Sequence, residues 1–109
     1  MKIINLGRGQ GKTMRLLYAS EWNDIPILCA TYVQKEYLMD MAKRLRLHIP
    51  EPIAVSEIGT DKVRKNRAID KDMLVDEAPL VLQCLLNSMG MRGEVEAITL
   101  TSDELKQEI

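Results

Sequence analysis

Short apolar runs separated by segments of helical periodicity constrain this chain more than any other feature. Residues 27–33 (ILCATYV) are continuously apolar and β-branched, the pattern of a strand covered on both faces. The next stretch, 34–46, sets Tyr37, Leu38, Met41 and Leu45 inward and Lys35, Asp40, Lys43 and Arg44 outward, as in an amphipathic helix. The alternation repeats along the chain. Residues 2–6 (KIINL) read as a buried strand, and a helix is expected from Lys12 to about Glu21, closed by a turn at Asn23, Asp24 and Pro26. Pro50 and Pro52 end the second helix, and residues 53–58 (IAVSEI) alternate like a half-exposed edge strand. Gly59 to Lys71 is a polar, basic loop or a small irregular element, after which residues 73–76 (MLVD) form another buried strand. Pro79 suits the first turn of a helix running to Met89. A turn at 90–93 leads to a fifth strand, 95–100 (VEAITL), and a short final helix ends at Ile109, with Thr101 and Glu104 at capping-box spacing. The expectation is a single α/β domain over residues 1–109, with a mostly parallel five-stranded sheet and helices on both faces.

Composition narrows this further. With 109 residues, no Phe, one Trp, three Tyr and seven Met, the chain has one core and that core is aliphatic. The length excludes a two-lobed motor or a catalytic domain carrying its own substrate domain. Cys29 and Cys84 sit in apolar runs and form no CxxC pair, so they read as reduced, buried residues of a cytoplasmic protein. His48 is the only histidine and has no cysteine at ligand spacing, which argues against a zinc site. No signal peptide and no apolar run of membrane-spanning length is present, so no membrane partner is expected. The formal charge of −1 conceals a split, with +5 over residues 1–71 and −6 over residues 72–109. A basic face of this kind suits a polyanion such as nucleic acid, an acidic protein, or plain solvent.

In parallel sheets ligands bind beyond the carboxyl ends of the strands. That rule selects Gly7–Thr13, Thr31, Asp76–Glu77 and Thr99–Ser102. The first segment, Gly7-Arg8-Gly9-Gln10-Gly11-Lys12-Thr13, joins a strand to a helix. Glycines let successive backbone N–H groups turn into one concavity, and the helix N-terminus adds its positive end. Lys12 then stands where a lysine reaches terminal phosphates, and Thr13 where a hydroxyl ligates Mg²⁺. The pattern G-x-x-x-x-G-K-[ST] fails at one position, which is Leu6 here. A glycine-rich surface turn is the other reading of the same residues. Residues 73–77 (MLVDE) add an apolar strand ending in two carboxylates. Asp76 is placed to hold Mg²⁺ and Glu77 to orient and deprotonate an attacking water; alternatively the pair is a solvated strand end or a cap for the following helix.

Together these motifs resemble the P-loop NTPases with an added catalytic glutamate, the class of RecA-like ATPases, helicases and viral terminase motors. The resemblance follows the chain in order over nearly its whole length, and only its two phosphate and metal motifs are specific. It implies a minimal P-loop NTPase fold, a three-layer sandwich. It also implies ATP and Mg²⁺ as cofactors, with Gly7, Arg8, Gly9, Gln10, Gly11, Lys12 and Thr13 around the phosphates, Thr13 and Asp76 at the metal, and Glu77, Lys12 and Arg8 in catalysis. Terminase large subunits often lack the first glycine and carry an arginine at the position of Arg8, so the Leu6 departure fits them, and Arg8 is implied at the γ-phosphate. By the same resemblance CATYVQKEYLMDMAKRL is similar to a segment near the nucleic-acid path, and ITLTSD to a sensor strand, with Thr99 or Thr101 as its polar residue. Thr101 is also a helix cap.

Three features limit the expected activity. No base-recognition segment precedes the first strand and no second lobe follows the sensor strand, so hydrolysis by the chain alone is expected to be slow; a transition-state arginine in trans is worth about 10³–10⁵ in rate. Arg92 is either such an arginine, directed at a neighbouring protomer, or a surface turn residue. The loop Lys62, Arg64, Lys65, Arg67 lacks interleaved aromatics for stacking on single strands. The helix PLVLQCLLNSM is apolar on nearly all sides and is either wedged under the sheet or buried against another copy or a larger partner. The reading is a small phage-type ATPase acting in the host cytoplasm, in nucleic-acid processing or packaging. The alternative is a non-enzymatic interaction protein that docks on a host or phage partner.

Overall fold

The computed structural model describes residues 2–4, 11–65, 70–99 and 106–108. Its elements are β1 (Lys2–Ile4), α1 (Lys12–Asn23), β2 (Ile27–Cys29), α2 (Tyr32–Arg44), β3 (Ile53–Ala54), a 3₁₀ turn (Val55–Glu57), α3 (Asp61–Lys65), β4 (Leu74–Val75), α4 (Ala78–Ser88) and β5 (Lys106–Glu108). The class is α/β, but the five-stranded sheet and the P-loop sandwich built on it are not what the structure has. Among the described residues the strands fall into two parallel sets: a three-stranded sheet in the order β3-β2-β4, and a separate pair, β1 with β5. In the larger set Leu28 pairs with Ile53 on one side and with Val75 on the other.

Strand pleating explains why this small sheet needs helices on both faces. Ile27 and Cys29 point to one side, where they meet Leu17 of α1 and Leu38 and Ala42 of α2. Leu28 and Ala30 point to the other, where Ile53, Val55 and Val81 of α4 complete a second cluster. Both clusters are aliphatic, as the composition requires. The aromatic residues Tyr18, Trp22, Tyr32 and Tyr37 are all exposed, Trp22 at 89%.

Three expected strands are shorter than expected or absent, each for a local reason. The run 27–33 stops at Cys29 because Thr31 caps α2: its hydroxyl accepts from the Gln34 N–H (3.2 Å), while the Gln34 side chain accepts from the Ala30 N–H (3.0 Å). The run 53–58 turns into 3₁₀ after Ala54 because the Glu57 carboxylate folds back to accept from the Ala54 N–H at 3.0 Å. Residues 95–99 form no strand. There the Gln83 amide of α4 donates to the Gly93 carbonyl and accepts from the Val95 N–H, at 3.0 and 2.7 Å, occupying groups that a sheet ladder would use. The short helix expected at the C-terminus is replaced by β5 over residues 106–108, and Thr101 and Glu104 lie outside the described residues. The helices at 78–88 and 32–44 agree closely with expectation. No helix among the described residues is long and apolar enough to cross a membrane.

Lys35 and Tyr37 have exchanged their expected places. Lys35, expected outward, is 4% exposed and pairs with an equally buried Glu57 at 2.8 and 3.1 Å, while Tyr37, expected inward, is exposed. Glu51 and Lys62 extend the pair to the surface, Glu51 lying 3.2 Å from Lys35 and 2.9 Å from Lys62. Burial alone would raise the Glu57 carboxyl, but the Ala54 N–H and the Lys35 ammonium outweigh it and hold the group below its usual range. The network ties α2 to β3 across the sheet edge. A carboxyl with a lowered folded-state pKa contributes stability that is complete above its unfolded value and is lost as pH falls through the folded one. Glu51 and Glu57 are both lowered from 4.5, so the urea midpoint should fall as pH drops below that value. Lys35→Met should destabilise by ~3–5 kcal/mol at neutral pH, since it leaves a buried carboxylate with only the Ala54 N–H and Lys62 at 3.6 Å, and Lys35→Met/Glu57→Leu should recover most of that loss.

Candidate functional site

Register brings the tandem acids to the first turn of α1. The Leu74 N–H donates to the Pro26 carbonyl at 2.9 Å and the Asp76 N–H to the Leu28 carbonyl at 3.1 Å, so β4 is locked along β2 and delivers Asp76 at its carboxyl end. Asp76 is 9% exposed. The chain then turns sharply: Glu77 takes φ 54° and ψ 62°, in the left-handed region, and α4 starts at the next residue. Its side chain caps no α4 N–H.

Across from it, Gly11 precedes α1 with φ 79° and ψ 23°, a conformation that glycine adopts without steric cost. Gly11 has no side chain to cap α1, and no acidic residue lies in the first turn of the helix, where the dipole is positive. Lys12 reaches out of this turn and places its Nζ 3.4 Å from Glu77 Oε1, joining residues 65 apart in sequence. Both side chains remain partly open to water, at 31% and 50%.

One ammonium thus faces two carboxylates. Burial raises the Asp76 pKa, and the Glu77 charge raises it further; Lys12 and the Glu77 N–H offset this only in part. The same charge reaches Cys29, whose thiol is pushed up to about 11 by burial and then by Asp76. Cys29 is therefore an un-ionised core thiol rather than a nucleophile. Cys84 is likewise free and half-buried.

Of the other expected site residues, Thr13 lies half-buried in the first turn of α1, next to Lys12. Gly7, Arg8, Gly9 and Gln10 lie outside the described residues, as do Arg67, Thr101 and Ser102. Thr99 is exposed in the irregular segment after α4 and Arg92 is exposed in the turn before it. Lys62 is committed to Glu51 and Glu57 rather than free for a polyanion. On α4, Val81 is buried under the sheet while Leu80 and Leu82 are exposed. Among the described residues no three His, Cys, Asp or Glu side chains cluster as a metal site would need.

Sequence reasoning missed the buried Lys35–Glu57 pair, whose one signal was a polar residue facing the sheet in an otherwise amphipathic helix. A cleft of about 270 Å³ lies beside it, walled by Pro50, Pro52, Ile53, Glu57 and Lys62. It shares no residue with the Lys12–Asp76–Glu77 corner, and its Glu57 and Lys62 are already paired with one another.

Compared with known protein families, with curated proteins and with solved structures, the chain matches none.

A carboxyl with a raised folded-state pKa lowers stability once pH exceeds its unfolded value, and the full penalty is present at neutral pH. Asp76→Asn should therefore stabilise the chain at pH 7 by on the order of 1 kcal/mol. It should also flatten the rise in stability that the parent shows as Asp76 takes up its proton. Urea denaturation across pH checks both expectations.

Proposed function

We propose that this chain binds ATP with Mg²⁺ and hydrolyses it slowly. The observation that carries the reading is the contact between Lys12, at the start of α1, and Glu77, at the end of the β4 turn. It joins the two motifs that the sequence singled out independently. Lys12 and the N-terminus of α1 supply positive charge for phosphates. Thr13 and Asp76 supply hard oxygen donors of the kind Mg²⁺ prefers, and the excess negative charge at Asp76 and Glu77 favours a cation there. Two protein donors suffice for Mg²⁺, which commonly keeps several waters and takes substrate phosphate oxygens. Glu77, half exposed at the water side of the corner, is the base that would take a proton from the attacking water. Gly7, Arg8, Gly9 and Gln10 belong to the same reading as the remainder of the phosphate loop, with Arg8 directed at the γ-phosphate. The resemblance to P-loop ATPases supports the chemistry; it no longer carries the sheet architecture.

A second reading, an interaction protein that docks on a host or phage partner, draws on the exposed Tyr18, Trp22 and Tyr37, residue types enriched at binding hot spots. The two readings separate on nucleotide. Calorimetric titration with ATP–Mg²⁺ should show binding by the parent and a loss of at least tenfold in Lys12→Ala, whereas Glu77→Gln should bind and lose most turnover, by about 10²–10⁴ for a missing general base. A parent that binds no nucleotide in the presence of Mg²⁺ sinks the enzymatic reading and leaves the docking one.

A further inference from the structure

Two of the lysine–glutamate pairs among the described residues, Lys35–Glu57 and Lys12–Glu77, differ in their surroundings. Lys35 and Glu57 are both 5% exposed in their side chains, at 2.8 Å, with further hydrogen bonds holding them. Lys12 and Glu77 are 31% and 50% exposed, at 3.4 Å, and among the described residues neither side chain has another hydrogen-bond partner. The first pair is locked; the second is exchangeable, because open pairs of this kind contribute little.

The backbone beneath Glu77 adds a second observation. Among the described residues three non-glycine residues have positive φ: Asp24, Arg46 and Glu77. Asp24 follows the end of α1 and Arg46 lies just past α2, where the left-handed conformation commonly closes a helix. Glu77 instead precedes a helix, where an extended conformation is usual and the side chain normally caps. It does neither. Its carboxylate points away from the α4 N–H groups and toward Lys12.

We propose that Lys12 is the resident counter-ion of the Asp76–Glu77 pair, and that a nucleotide's phosphates bind by drawing Lys12 away from Glu77. This rests on the nucleotide-binding reading and specifies how that site is held before ligand arrives. In the resting chain the lysine pairs with Glu77 and its charge also acts on Asp76. Phosphates that take the lysine leave both carboxylates uncompensated, so a bare nucleotide binds against their repulsion. The same exchange frees Glu77 for water only when a phosphate is in place. The Lys12–Glu77 contact therefore suppresses binding of metal-free nucleotide.

The test is calorimetric titration of the full chain with ADP in the presence of a chelator. Glu77→Gln, which removes the charge, should bind metal-free ADP about three- to fivefold more tightly than the parent, the scale of an exposed ion pair. Glu77→Gly removes the charge and also suits the left-handed backbone, so it should show the same gain and covers the case in which Glu77→Gln folds poorly. Glu36→Gln, at an exposed carboxylate on α2, should leave the affinity unchanged. Equal or weaker binding in both Glu77 variants overturns the proposal, as does an equal gain in Glu36→Gln, which would mark a general charge effect. In either case a parent that still binds ADP with Mg²⁺ keeps the nucleotide-binding reading, whereas a parent that binds neither form of ADP removes both.

Discussion

Everything described here depends on β2 being buried on both faces and bonded along both edges. Ile27, Leu28 and Cys29 are each at most 5% exposed, and three residues in this state have no polar backbone group to spare for water. Their ladder partners are thereby fixed: Ile53 and Ala54 on one side, Leu74 and Val75 on the other. Because both pairings are parallel, each neighbour must arrive by a crossover, and the crossovers carry the helices. The position of Asp76 follows without further specification. A one-residue slip of β4 along β2 would turn Leu74 away from its cluster, and it would take both acids off the corner that Lys12 occupies.

Both lysine–glutamate pairs grow from this arrangement. α2 packs its Leu38 and Ala42 onto β2, which brings Lys35 over the sheet edge where Glu57 turns in. α1 packs its Leu17 on the same face, which sets Lys12 at the carboxyl end of the sheet. One lysine is drawn into the protein and becomes structural. The other stays at the rim, where water competes and a ligand can too. Depth of burial, rather than residue type or spacing, separates the locked pair from the exposed one.

What could be read from the sequence followed periodicity and end signals. The α4 helix was legible from Pro79 and its apolar run, and the corner was legible from Gly-Lys-Thr and from MLVDE. Strand extent was not. Thr31 and Gln34 satisfy the start of α2 three residues apart, a spacing present in the sequence, yet the β-branched run ILCATYV outweighed it. The strand expected over 95–100 failed for a less visible reason. Gln83 is twelve residues from Val95, and nothing local announces that its amide will hold that segment's backbone. Lys35 was misplaced because a helix face is inferred from apolar residues alone, and the buried carboxylate that makes a lysine tolerable there comes from Glu57, 22 residues on.

The strain at Glu77 bears on why such a corner persists. A non-glycine residue in the left-handed region costs roughly 1–2 kcal/mol, and a chain of this size has only small cores from which to offset it. Asp76 adds a second unfavourable term, since its carboxylate is buried beside a like charge. Glycine at 77 would relieve the first and asparagine at 76 the second, each by a single substitution that leaves the sheet untouched. Among the described residues neither has a structural partner that requires its charge: Asp76 is only partly compensated, and Glu77 bonds to a partly exposed lysine. The buried pair at Lys35 and Glu57 has the opposite character, because removing either charge there leaves the other buried with only a rim partner, Lys62 for Glu57 and Glu51 for Lys35. Two adjacent acids whose burial and backbone conformation both act against the fold, at the carboxyl end of the sheet and beside the start of α1, are what the proposed nucleotide site would account for.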